Sequence, residues 1–442
     1  MKSARALVLD SLLKLEKDDG YSNLILNSAI IKNKLDKSDI SFFSALFYGV
    51  IEKKITLDYI ISLNIKNSIN KLSPHVLNIL RLSVYQLYFM DKIPDSAIVN
   101  EAVKLTKQYK QSYSSGFVNA VLRKLCKASF DDFIPDKKDF NKYLMIKYSF
   151  SSELTEFFIK NYCDDAEKLL SGFSDNKKIY LKVNTLKTTD EDLISKLQKD
   201  NIICEKHHSV KNVLITEKAS NFSNTDSFKS GLFHIQDLSS QICCYALNPL
   251  PGEIIADVCA APGGKSFTIA QLMNNNGRVD SFDLYENKIN IINENKARLG
   301  INIINSGVRD AGKEKASTFY DAVLCDVPCS GLGVIGKKPE IKYKSLDMLE
   351  SLPELQYKIL TNSSKLLNPE GRIIYSTCTL NPDENENIIN KFLSEHNDFI
   401  PYSLSLPFDL KLNQSEQKHM ITFLPYLNDS DGFFISGIKK LR

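Results

Sequence analysis

The 442-residue chain contains no tryptophan, and none of its apolar stretches approaches membrane length. The missing tryptophan excludes nothing, whereas the missing long run excludes a helical membrane protein. A secretory signal is also lacking. Asp10, Lys14 and Glu16 interrupt the apolar residues of the N-terminus, and no small-residue cleavage site follows. Internal repeats and low-complexity tracts are absent, as are His/Cys groups at metal-ligand spacing, so no metal is expected. Nine cysteines, an odd number in a long chain without a signal, argue for free thiols rather than a disulfide framework. The expected compartment is the cytoplasm, and the expected state a monomer.

What is present is ordinary in bulk and uneven in distribution. Hydrophobic content of 43% and charged content of 25% fit a globular protein of two or three domains. Residues 1–150 carry 23 Lys and Arg against 15 Asp and Glu, and the remainder carries 33 against 38. The front third is therefore the basic part. It is either a solvated lysine-rich surface or a face for nucleic acid.

Periodicity divides the chain. Over residues 1–127 apolar side chains recur at three- and four-residue spacing, as in PHVLNILRLSVYQLYFM, which predicts a helical bundle. Pro74 after Ser73 suits a first helical turn, and Pro94-Asp95 marks a break before the next helix. A linker is expected over 131–150. Residues 151–235 are mixed, with strands in IYLKVNT and NVLIT and a helix in DEDLISKLQKD, which predicts a small α+β subdomain. The neighbours His207 and His208 should point apart in a strand and are read as surface residues. Cys243 and Cys244 are read as core. From Ile254 onward each strand is followed by a helical segment, which predicts a parallel doubly wound sheet closed by a last, antiparallel strand, DGFFISGIKK. The domain expectation is thus 1–130 helical, 131–150 linker, 151–235 small α+β, and 236–442 Rossmann-like α/β.

The pivot of the α/β part is IIADVCAAPGGKSFTIAQLM at 254–273: buried strand, glycine turn, helix. Three ligands compete for such a turn. GGKS ends like a P-loop, but that motif requires glycine at 259, where Cys259 stands, and Pro262 stiffens the loop. G-x-G-x-x-G does occur, as GLGVIG at 331–336, but KKPEIKYKS follows it in place of an apolar helix, so it is read as a flexible loop. S-adenosylmethionine is the third. In such a sheet the ligand lies at the carboxyl ends of the strands, where Asp283, Asp310 and Asp326 are expected. Asp283 stands about 20 residues past the glycines, where an acid meets ribose hydroxyls, and Asp310 is placed to meet adenine. Carboxylates favour a sulfonium cation and repel nucleotide phosphates.

DVPCSG at 326–331 and STCTLNPDENE at 376–386 place Cys329 and Cys378 just past two adjacent strand ends. Either cysteine alone is read as a buried structural thiol, as are Cys259 and Cys325. Two of them on the cofactor edge suggest nucleophilic chemistry. A redox pair is the lesser reading, since neither lies in a C-x-x-C motif.

In combination, CAAPGGK, DVPCSG and STCTLNPDENE resemble the RNA cytosine-5 methyltransferase family, and FHIQDLSSQ at 233–241 is similar to its segment before the first strand. In the front domain Arg5, Leu12, Asp39, Phe43 and Gly49, with LRLSVYQLYF, VNEAVKL and FVNAVLRKL, resemble the NusB-type RNA-binding fold. The pairing of the two resembles the members that act on bacterial 16S ribosomal RNA. The resemblance implies a cofactor site of Cys259, Ala260, Ala261, Pro262, Gly263, Gly264, Lys265, Asp283, Asp310 and Asp326. It also implies that Cys378 adds to cytosine C6, that Cys329 assists release, that Asp326 binds the base near N3, and that Lys265 orients the site. Spacing alone does not divide the roles of the two cysteines. A competing expectation is an RNA-binding assembly factor whose enzyme half is vestigial.

Overall fold

The computed structural model describes residues 2–18, 22–33, 35–175, 178–217, 222–313, 318–408, 413–414 and 418–442. It divides into two units, Met1–Leu170 with Lys337–Ser345, and Ser171–Gly336 with Leu346–Arg442.

The first unit is helical, as the three- and four-residue spacing predicts. The helix Pro74–Phe89 shows why: Ser73 caps the Val76 N–H, Pro74 occupies the first turn, and Ile79, Leu80 and Val84 are fully buried. They pack with Phe43, Phe47, Leu57, Ile60 and Leu122 in one apolar core. Arg81 of the same helix is buried, and its charge is matched by Glu16 at 2.5 Å and Asp58 at 2.6 Å. Helices continue beyond the expected bundle, at Phe140–Tyr148 and Ser152–Tyr162. Lys337–Ser345 also belongs to this unit. Its Lys342 ammonium is buried, sits over the Phe150 ring and donates to the Tyr148 carbonyl at 3.0 Å.

The second unit opens with a four-stranded antiparallel sheet of β1 (Ile179–Val183), β2 (Glu205–Lys206), β3 (Val213–Thr216) and β4 (Phe233–Ile235), in the order β2-β3-β1-β4. The helix Asp190–Lys199, capped by Thr189, connects β1 to β2. The expected α+β character of this stretch is observed. His208 is exposed, as expected, but His207 is not. His207 is buried, its Nδ1 accepts the N–H groups of Ser209 and Val210, and its ring stacks on His208 at 4.4 Å. The strand stops at Lys206, so the alternation that would have turned the two side chains apart does not apply.

The large sheet comprises β5 (Ile254–Asp257), β6 (Arg278–Asp283), β7 (Ile304–Val308), β8 (Tyr320–Asp326), β9 (Leu367–Thr377), β10 (Phe399–Pro401), β11 (Asn413–Gln414), β12 (Met420–Phe423) and β13 (Phe433–Lys440). Its order is β11-β12-β13-β9-β8-β5-β6-β7, with β10 against β13. The strands β7, β6, β5, β8 and β9 are parallel, and β13 runs antiparallel to β9. One expectation is corrected. After β7 no helix occurs among the described residues. The chain turns instead, with the Gly312 N–H bonded to the Asp310 carboxylate at 2.9 Å. Strand order reverses between β5 and β8, so their carboxyl ends form the crevice where such sheets bind ligands.

Candidate active site

The glycine turn leaves β5 at Asp257 and starts the helix Gly264–Leu272. Gly263 sits at φ +105°, and a Cβ there would lie 2.4 Å from the Phe267 ring, so both conformation and space call for glycine. The Ala260 N–H bonds to the Phe282 carbonyl at 2.7 Å, and the Ala261 N–H to the Asp283 carboxylate at 3.2 Å. The turn is thereby tied to the end of β6. Cys259 lies past the strand end rather than inside the strand, and burial pushes its thiol well above the ordinary range. Asp283 also pairs with Lys288 at 3.4 Å. Asp310 is engaged by its own turn and by Lys313 at 3.1 Å, whose bond holds its carboxyl below the usual range.

FHIQDLSSQ underlies this turn. Gln236 packs against Gly264 and accepts the Thr268 hydroxyl at 2.6 Å, beside the fully buried His234. Burial pushes that imidazole down to about 3, so it is neutral. Asp237 caps the helix Leu238–Leu247, whose Cys243 and Cys244 are core residues, as expected.

Lys265, on the first turn of the helix after the glycines, reaches Asp326 at the end of β8, with Nζ 2.7 Å from Oδ2. The other oxygen of Asp326 accepts the Ser376 hydroxyl of β9 at 2.9 Å. Burial opposes the charge of Lys265. The carboxylate beside it outweighs this and lifts the ammonium above its ordinary value. Lys265 therefore stays a cation and is unsuited to act as a base. Hydrogen bonds thus run from the glycine turn through Lys265 and Asp326 to β9.

Because β8 and β9 are adjacent and parallel, the residues just past them meet. The Sγ atoms of Cys329 and Cys378 lie 3.1 Å apart, and none of the nine cysteines is in a disulfide. The hydrogen bond to Cys378, then burial, then the charges of Cys378 and Glu384 push the Cys329 thiol well above its ordinary value.

GLGVIG is not the flexible loop expected. Leu332 and Ile335 are buried, the Gly333 N–H bonds to the Cys378 carbonyl at 3.0 Å, and the Gly432 N–H bonds to the Gly333 carbonyl at 2.9 Å. A Cβ on Gly333 would lie 1.9 Å from the Gly432 oxygen. These glycines serve close backbone approach, which composition alone does not distinguish from mobility.

Two acids have roles here that sequence reasoning did not assign. Asp257 is fully buried beneath the turn, accepts the Ser266 hydroxyl at 2.6 Å, and is pushed up by burial to about 7. Its signal was a lone acid inside the apolar run IIADV. Glu384, also fully buried, joins the two cysteine loops.

Comparison with known proteins identifies this architecture. A model of the family described as "16S rRNA methyltransferase RsmB/F" matches residues 244–439, and one of the NusB family matches residues 2–127. A "Probable ribosomal RNA small subunit methyltransferase B" of Bacillus subtilis (strain 168) is 36% identical, covering 99% of each chain. The chain belongs to the ribosomal RNA small subunit methyltransferase B family. A member from Synechocystis sp. is 33% identical over the full length of both chains. The solved structure of PH0851 superposes with TM-score 0.82 at 25% identity, covering 100% of this chain and 99% of that one. NSun6 from Pyrococcus horikoshii, solved with SFG, shares the fold at 22% identity and TM-score 0.61, over 66% of this chain and 99% of its own.

This is a family of S-adenosylmethionine-dependent methyltransferases of small-subunit ribosomal RNA, and the expected pairing of a NusB-like front domain with a Rossmann-like methyltransferase domain is observed. The residues here fit that cofactor. Carboxylates stand at three strand ends, and the apolar side chains Leu284 and Tyr285, directly after Asp283, are about half exposed at 48% and 56%. Such a set suits a cation joined to a ribose and a flat aromatic base.

Proposed function

We propose that this chain methylates C5 of a specific cytosine in 16S ribosomal RNA through a covalent bond between Cys378 and C6 of the base. The observation that carries the reading is the meeting of Cys329 and Cys378 at 3.1 Å beside the Lys265–Asp326 pair. A cytosine ring is too weak a nucleophile at C5. Addition of the Cys378 thiolate to C6 moves electron density to C5. S-adenosylmethionine, when bound, supplies an electrophilic methyl group there, and the turn residues Cys259 to Lys265 with Asp283, Asp310 and Asp326 would hold it. Asp326 hydrogen-bonds the base near N3 and is itself held by Lys265 and Ser376. For release, a base removes the C5 proton, the C5–C6 double bond re-forms, and the Cys378–C6 bond breaks, with Cys329 assisting. The target base must be unstacked to reach the pocket.

In the same reading the basic helical part, residues 1–130, grips RNA largely through phosphates, and residues 131–150, which run into the helix Phe140–Tyr148, lead on to the small α+β part and the methyltransferase part from 236. The protein acts as a monomer in the cytoplasm. The test is transfer of labelled methyl groups to 16S RNA, followed by nucleoside mass spectrometry. 5-Methylcytidine is expected, and a label on any other nucleoside overturns the proposal.

A further inference from the structure

The two cysteines sit on separate loops, one past the end of β8 and one past the end of β9. Glu384 lies fully buried between those loops. Its Oε2 accepts the Ser330 N–H at 2.9 Å and the Gln356 side-chain amide at 2.8 Å. Its Oε1 accepts the Ser330 hydroxyl at 2.6 Å and the Asn381 amide at 3.0 Å. Two of these donors belong to the residue following Cys329, and one belongs to the loop that carries Cys378. The fourth, Gln356, also donates to the Pro328 carbonyl at 2.9 Å, on the other side of Cys329. A further bond, 2.7 Å between the Ser330 and Thr379 hydroxyls, joins the residues that directly follow the two cysteines.

We propose that Glu384 is a positioning residue that fixes Cys329 against Cys378 by gathering four donors from three segments onto one carboxylate. The chemistry is specific to a carboxylate. Glutamine presents one oxygen, and its amide would face two of the present donors. Each donor left without an acceptor in a buried site costs the desolvation of that group. This assignment rests on the proposed cysteine chemistry for its catalytic consequence, but the geometry can be tested without it.

The experiment compares the full chain with Glu384→Gln, Glu384→Asp and Ser330→Ala. Diamide oxidises two neighbouring thiols to a disulfide and is itself reduced to a hydrazine. Closure of the Cys329–Cys378 bond is followed as the loss of two hydrogens in peptide mass spectra. Closure is expected to be about tenfold slower in Glu384→Gln and intermediate in Ser330→Ala. In methyl transfer, kcat of Glu384→Gln is expected to fall roughly 10- to 100-fold with KM for RNA and for S-adenosylmethionine unchanged, and Glu384→Asp to recover part of it. Closure at the wild-type rate in a folded Glu384→Gln protein overturns the proposal, as does a change confined to KM. If Glu384→Gln shows no cooperative melt, Ser330→Ala decides by the same readings. Slow closure in Glu384→Gln, with no methyl transfer by the wild type, overturns the cytosine reading and supports the positioning role.

Discussion

Cys329 and Cys378 face each other at 3.1 Å between sulfur atoms, close enough for one thiol to donate to the other. The proposed mechanism makes Cys378 the attacking thiolate and leaves Cys329 to assist release. Cys378→Ala is expected to abolish methyl transfer. Cys329→Ala is expected to leave an RNA-protein adduct that survives a denaturing gel. If Cys329→Ala alone abolishes transfer, or leaves no adduct, the division of roles is reversed or wrong.

The Lys265–Asp326 pair is largely shielded from water, with side chains 13% and 27% exposed. Removing one charge from such a pair strands the other. Asp326→Asn should therefore lower stability by about 3 kcal/mol. Ser376→Ala removes only one hydrogen bond to the same carboxylate and should cost about 1 kcal/mol. Urea melts of the two variants check the order, and equal losses would mean that Lys265 finds another partner.

Much of this site was legible in the sequence, for local reasons. The glycine turn, the acids at strand ends and the two cysteines all lie where an apolar run stops and a Pro/Gly cluster begins. That punctuation is written in consecutive residues. Glu384 was not legible as a tie, because its partners Ser330 and Gln356 are 54 and 28 residues away in sequence. GLGVIG was misread for a related reason. Its glycines answer to Gly432 and to the Cys378 carbonyl, neither of which is nearby in the chain. His207 was misread because its strand ends one residue before it.

Asp257 gives the fold a pH dependence of defined sign. Its carboxyl rises from 3.8 to about 7 on burial, so between those values the folded state holds a proton that the unfolded state has released. The group's contribution to stability is therefore greatest below about pH 4, declines as pH rises toward 7, and is level above that. Asp257→Asn retains an acceptor for Ser266 and lacks the titration. Its melting temperature should gain on the wild type from pH 4.5 to pH 8, by on the order of 3 kcal/mol in unfolding free energy. A constant difference across that range would show that the carboxyl is not titrating in the fold.

Two glycine substitutions should act in opposite directions. Gly333 lies where three backbones converge, and a methyl group placed there meets the Gly432 carbonyl at 1.9 Å and the Cys378 carbonyl at 2.9 Å. Neither neighbour is a side chain that can swing aside. Gly333→Ala must therefore move backbone, at a cost of roughly 1–3 kcal/mol, and it displaces the Cys378 loop as it does so. Gly116, in the helix Ser115–Leu125, has nothing within 4 Å of the same methyl position. Gly116→Ala adds a better helix former and restricts the unfolded chain, which should raise stability by about 0.5 kcal/mol. Thermal melts and methyl transfer measured on both variants separate the cases. Gly333→Ala should lose stability and activity together, and Gly116→Ala should gain stability with activity unchanged. Wild-type activity in Gly333→Ala would show that the Cys378 loop does not depend on that backbone contact.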